Sequence, residues 1–257
     1  MLQNLKMPPS LFVLGVLYAL VAVFYFYDFI RDGYWNGVAS EIKKIIASNW
    51  KLLLFFIAIF IILVSYVDLP VTQWCKVYYN KNWYAVFDFI NSVGEGWFIG
   101  GIIFSCFMIF QFLQKLHLAI VTKISFMATI YAGLTNAVLK TLINRSRPSA
   151  TSNPQQFFHV FSNRGHDIND LFYAANSMPS GHTITIFAAI TPFLLFTQKT
   201  VAKALLLGVA LLILIARVYT INHWLSDVYV STLLGLAIGW AVFLCNRHRL
   251  IAVGAAN

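Results

Sequence analysis

The chain has 257 residues, of which 60% are hydrophobic and only 11% charged, with a mean hydropathy of +0.74; a soluble domain carries about 25% charged residues. That composition excludes a soluble globular enzyme and describes an integral membrane protein. The 18 Lys and Arg outnumber the 9 Asp and Glu, giving +9, a surplus that in a membrane chain addresses anionic headgroups or a phosphorylated lipid; nucleic-acid binding is not indicated.

In chain order, apolar runs predict helices at 11–30, 52–69, 97–114, 118–139, 182–198, 201–221 and 225–245, each close to the roughly 20 residues that a bilayer crossing needs. The first lacks a small-residue cleavage pattern and reads as a retained helix that spans or lies in the interface. The stretch 31–51 mixes Arg31, Asp32, Glu41, Lys43 and Lys44 with apolar positions, the pattern of an interfacial helix. Basic residues concentrate in 31–51, 115–123, 198–203 and the tail from 246, which the positive-inside rule places on the cytoplasmic side. Segments 70–96, 140–181 and 217–224 then face outward. Gly96 with Gly100 and Gly235 with Gly239 form two GxxxG spacings, read as close helix packing within one bundle. Cys75, Cys106 and Cys245 form no disulfide framework.

Three constellations place polar or ionised groups at the outward ends of apolar helices, where charge inside the bilayer would be costly. The first runs from Lys140 to Arg147 and Pro148. Two helical turns apart, the two cations would share a face; basic residues at a helix end also simply snorkel to water. The second, Pro179-Ser180-Gly181-His182, opens an apolar run, and the unpaired N–H groups of a helix start form an anion site. Ser180 alone would suit an ordinary N-cap. The third spans Arg217 to His223 and Asp227. If 223–227 is helical, His223 and Asp227 are an i, i+4 pair, so the carboxylate can hold one imidazole nitrogen and free the other as a nucleophile. Together the three supply what phosphoryl transfer to histidine requires: charge neutralisation, an oriented nucleophile and a proton donor.

These segments resemble, in order and spacing, the three signature motifs of the type 2 phosphatidic acid phosphatase superfamily: Lys and, after six intervening residues, Arg-Pro; Pro-Ser-Gly-His; and Ser-Arg followed by His and Asp. Ala216 stands where the third motif has Ser. The resemblance implies an all-α polytopic bundle with a six-helix core over 52–245, an amino-terminal helical extension at 1–51 and a cytoplasmic tail at 246–257. It implies that His223 attacks phosphorus, that Asp227 orients it, and that His182 protonates the leaving oxygen. Lys140, Arg147, Ser180, Gly181 and Arg217 would bind phosphate, with neither metal nor cofactor. The expected substrate is a membrane lipid phosphate, met in a bacterial inner membrane with the site toward the periplasm. Two alternatives stand beside hydrolysis. One is a phosphotransferase of the same chemistry; the other is an ion or anion transporter, which would need polar groups through the depth of the bundle rather than at one face.

Overall fold

The computed structural model describes Tyr27, residues 31–155, Phe157 and residues 176–254. The predicted helix at 11–30, but for Tyr27, lies outside these residues, as do His159, Arg164, His166, Asp167 and Asp170 of the long loop. The described residues form an all-helical bundle: α1 Val38–Ser48, α2 Trp50–Val77, α3 Lys81–Val93, α4 Gly96–Phe112, α5 Leu116–Ile143, α6 Gly181–Phe196, α7 Thr200–Tyr219 and α8 Leu225–Gly254.

Four of these, α2, α5, α7 and α8, are long and apolar enough to cross a membrane, and α3 with α4 make a fifth candidate bent by 56° at its break. Four predicted boundaries change, one of them at the carboxyl end, where the run at 225–245 continues as helix to Gly254 through most of the expected tail. The run at 52–69 extends to Val77 through a π turn at Leu63–Val67. The outer segment 70–96 is largely helical rather than loop, and α3 within it folds against α7. The predicted crossing at 182–198 is a helix of 16 residues, about 24 Å at 1.5 Å per residue and shorter than the roughly 30 Å hydrocarbon layer. It need not match that layer, because Thr183–Pro192 are all buried and α5 and α8 pack along it.

The α6–α8 contact explains one GxxxG pair. A Cβ on Gly235 would stand 2.6 Å from the Ile184 carbonyl oxygen, and one on Gly239 would stand 2.5 Å from Thr191 Cβ. Around Gly96 and Gly100 the same atom would meet only ordinary contacts at 3.8 Å. Because the obstacle at Gly235 is backbone, Gly235→Ala should destabilise the bundle by about 1–3 kcal/mol, measured as a lowered thermal midpoint in detergent, whereas Gly100→Ala should leave it unchanged.

At one end of the bundle α1 docks on α8: Asn246 Nδ2 donates to the Tyr34 carbonyl (2.7 Å), Arg249 stacks 4.1 Å from the Tyr34 ring, and Lys123 lies 4.0 Å from Asp32. The three signature segments meet at the other end.

Candidate active site

Each site residue reaches this end by a helix terminus. Lys140 lies in the last turn of α5 and Arg217 in the last turn of α7. The helix does not continue from Lys140 to Arg147: α5 stops at Ile143, and Asn144 turns left-handed (φ 40°), a conformation that Asn tolerates better than most residues. Arg147 therefore enters on a non-helical turn, not along a shared helical face. It and the other two cations are close enough to act on one another and on both histidines. Arg217 is only 7% exposed and its Nε has no hydrogen-bond partner. Among the described residues neither Lys140 nor Arg217 forms an ion pair. Cations gathered so closely, with Lys140 and Arg217 outside any ion pair among the described residues, favour an anion between them.

The start of α6 faces the same place. Its first intrahelical bond runs from Ile184 N–H to the Ser180 carbonyl (3.0 Å), leaving the N–H groups of Gly181, His182 and Thr183 ahead of it. Ser180 is not acting as a side-chain cap; its N–H donates to Ser231 Oγ (2.7 Å), and its hydroxyl accepts from Thr183 Oγ1 (3.0 Å). A Cβ on Gly181 would press on the Asn136 side chain at 3.1 Å, and one on Gly94 would meet the His182 ring at 3.2 Å. The small residue at the break between α3 and α4 thus makes room for His182.

His223 lies in the turn between α7 and α8, just ahead of Leu225, where α8 begins. The turn folds back on itself, with Asn222 and His223 N–H both donating to the Arg217 carbonyl (3.2 Å each). Ile221 sits within it at φ 58°, a strained conformation for a β-branched residue that costs of order 1–3 kcal/mol. The His223 ring is 2% exposed and its Nδ1 lies 2.6 Å from the Ser177 carbonyl oxygen. A carbonyl only accepts, so Nδ1 carries the proton and Nε2 is the free base. Burial first, then the charges of Arg217, Arg147 and Lys140, hold this imidazole well below its ordinary pKa and therefore neutral.

The expected direct bond from Asp227 to His223 is replaced by a separation of 3.8 Å. The reason is local: Asp227 falls in the first turn of α8, where its Oδ2 accepts from Trp224 N–H (2.9 Å) and Ser177 Oγ (2.5 Å). This is the back-reaching half of a capping box. Its other oxygen accepts from Arg145 Nη1 at 2.5 Å.

Arg145 and Asp68 were not assigned a role from sequence. Both are completely buried, as is Asp227. Arg145 Nη2 lies 2.7 Å from Asp68 Oδ2, Nη1 also donates to Ser226 Oγ (2.7 Å), and Nε donates to the Pro154 carbonyl (3.0 Å). Asp68 in turn accepts from Ser226 N–H (2.9 Å) and Ser226 Oγ (2.5 Å). Two further ties join the signature segments, from Ser177 N–H to the Arg145 carbonyl (2.7 Å) and from Trp224 Nε1 to the Ser146 carbonyl (2.9 Å). A charged residue inside an otherwise apolar span, as at Asp68, and a second arginine two places before Arg147 were the available signals.

Comparison with known proteins agrees with the helical fold. The chain is similar in structure to the transmembrane PAP2-type phosphatidylglycerolphosphate phosphatase from Bacillus subtilis, with a TM-score of 0.59 and 21% identity over 77% of this chain and 95% of that one. It is also similar to Aquifex aeolicus LpxE, with a TM-score of 0.51 and 23% identity over 69% of this chain and 95% of that one. No curated protein sequence matches it significantly. The sequence profile of the PAP2 superfamily matches residues 122–251, a stretch that takes in all three segments gathered around His223; on that match, in an all-helical bundle whose apolar spans make it an integral membrane protein, the chain belongs to the PAP2 superfamily.

Proposed function

We propose that the protein is a lipid phosphate phosphatase that removes a phosphomonoester or a terminal pyrophosphate phosphate through a phosphohistidine. The observation that carries this reading is the convergence of Lys140, Arg147 and Arg217 with two histidines and an open helix start at one end of the bundle. The cations and the Gly181 N–H, with Ser180, would hold the phosphate oxygens. Nε2 of His223 attacks phosphorus, the P–O bond to the lipid breaks, and His182, protonated once the bound phosphate anion offsets the cations beside it, gives that proton to the departing oxygen. Now neutral, His182 takes a proton from water, whose oxygen attacks phosphorus and releases inorganic phosphate and free His223. Asp227 acts on this sequence through Ser177 and the start of α8.

A lipid substrate fits the surroundings. The spans beside the site turn apolar side chains outward, among them Leu205, Leu211, Leu212 and Ile215 on α7, so a lipid can reach the cations sideways from the bilayer. The basic ends near Lys123 and Arg249 would lie in the cytoplasm, and the site toward the periplasm of a bacterial inner membrane. Candidate substrates are phosphatidylglycerol phosphate, the substrate named for the Bacillus subtilis relative, with phosphatidate, isoprenyl pyrophosphate and lipid A. Purified protein in detergent should release inorganic phosphate from at least one of them, undiminished by chelator. A metal-restorable loss of activity would count against the mechanism.

Two measurements refine this reading. Since the neutral form of His223 attacks, and its protonation lies well below the usual imidazole range, kcat/KM should show no loss from this residue as pH falls through about 6.5. Any acid limb from this residue appears only lower still; a limb at the ordinary value that disappears in a His223 variant would contradict it. Ala216 is fully buried one residue before Arg217. In Ala216→Ser the new hydroxyl should bond its own helix backbone, so inhibition by phosphate should change by less than about twofold; a clear gain in affinity would show that it reaches the anion.

A further inference from the structure

Linked to Asp227 are two buried side chains that the proposed chemistry does not touch, Arg145 beyond the end of α5 and, through it, Asp68 on α2. Both have 0% exposure and each sits in place through several bonds. Arg145 uses all three of its guanidinium nitrogens, on Pro154, Ser226, Asp227 and Asp68. Only a planar fork can make those bonds at once. Their effect on Asp227 is specific. Arg145 occupies one carboxylate oxygen, Ser177 Oγ and Trp224 N–H occupy the other, and the carboxylate is left 3.8 Å from the imidazole. The Arg145 carbonyl meanwhile accepts from Ser177 N–H, fixing the peptide segment whose next carbonyl meets Nδ1 of His223.

We infer that Asp68 and Arg145 are positioning residues for the nucleophile: they clamp the start of α8 and the Ser177 segment so that the Ser177 carbonyl, not Asp227, holds Nδ1–H and leaves Nε2 as the attacking atom. The kinetic consequence rests on the phosphatase reading; the consequence for the histidine tautomer does not.

Conservative variants test the pair. Asp68→Asn keeps the size and an acceptor for Ser226, and Arg145→Lys keeps the charge but loses the fork. Nitrogen-15 NMR of histidine-labelled protein in detergent should find His223 protonated on Nδ1 in the wild type and a mixture of tautomers in both variants. With the best lipid phosphate, kcat should fall about 10–100-fold, while KM and inhibition by inorganic phosphate stay within about twofold, because Lys140, Arg147, Arg217 and the α6 start are untouched. The double variant should cost little more than the worse single one, since the residues act as one unit. The inference is overturned if wild-type His223 is unprotonated on Nδ1, if both variants keep the wild-type tautomer and kcat, if phosphate binding falls in step with kcat, or if the two losses simply add. Wild-type protein that releases no phosphate from any lipid would remove the phosphatase reading alone, and the tautomer measurement would still decide the positioning role.

Discussion

His223→Ala should abolish turnover, by about four or more orders of magnitude, while leaving the protein folded and able to bind phosphate. The size follows from the proposed mechanism: without Nε2 no covalent phosphoenzyme forms, and the cations contribute only binding and electrostatic stabilisation. Folding should survive because the ring's one hydrogen bond is to the Ser177 carbonyl, while the surrounding segments are held by Asp227, Trp224 and Arg145. Two readouts check it together. Phosphate release should vanish, and acid-labile incorporation of phosphate from a labelled substrate should vanish with it. A variant with near-normal rates would remove His223 from the nucleophile's role and leave His182 as the remaining imidazole at the site.

The largest effect on stability should come from Arg145→Met. Arg145 joins two carboxylates, Asp68 at 2.7 Å and Asp227 at 2.5 Å, and all three are fully buried. Removing the cation leaves two negative charges without a partner, a loss of about 3–5 kcal/mol and much of the stability of a typical domain. Most of that loss is the uncompensated charge rather than missing packing, since the Met chain fills a similar volume. The deficit relative to wild type should therefore shrink as pH falls and the carboxylates take up protons. Unfolding midpoints in detergent across a pH series would reveal this; a deficit independent of pH would point to packing instead. Asp68→Asn should be much milder, because the amide retains an acceptor for Ser226 and Arg145 keeps Asp227.

Much of the site was readable because its chemistry is local in sequence. Lys140, Arg147, Ser180, Gly181, His182, Arg217, His223 and Asp227 fall in three short runs, each at the end of an apolar stretch. A charged group that must stay out of the bilayer core and a helix that must meet lipid leave an abrupt boundary at any span end, and such boundaries can be seen without coordinates.

Reasoning from helical periodicity failed where the backbone leaves the helix. Lys140 and Arg147 were expected on one face, but the left-handed turn at Asn144 carries Arg147 in separately and turns Arg145 inward. His223 and Asp227 were expected to pair, but α8 starts two residues after His223. Asp227 is consumed by that start and by Ser177.

The amino-acid sequence by itself determined that this chain lives in a membrane, that it is helical, and that three separated segments carry cations and imidazoles to one face. Hydropathy and side-chain chemistry are properties of single residues and short runs, so they need no knowledge of neighbours. Only the tertiary structure decided that α6 is a short helix wrapped by others, that Gly235 and Gly239 are the pair that must be small, and that the Ser177 carbonyl meets Nδ1 of His223. Those outcomes depend on which atoms arrive within about 3 Å of one another from distant parts of the chain. The Asp68–Arg145–Asp227 network is the clearest case: α2, the turn after α5 and the start of α8 each supply one charge, and none has its meaning until burial forces the three to share it.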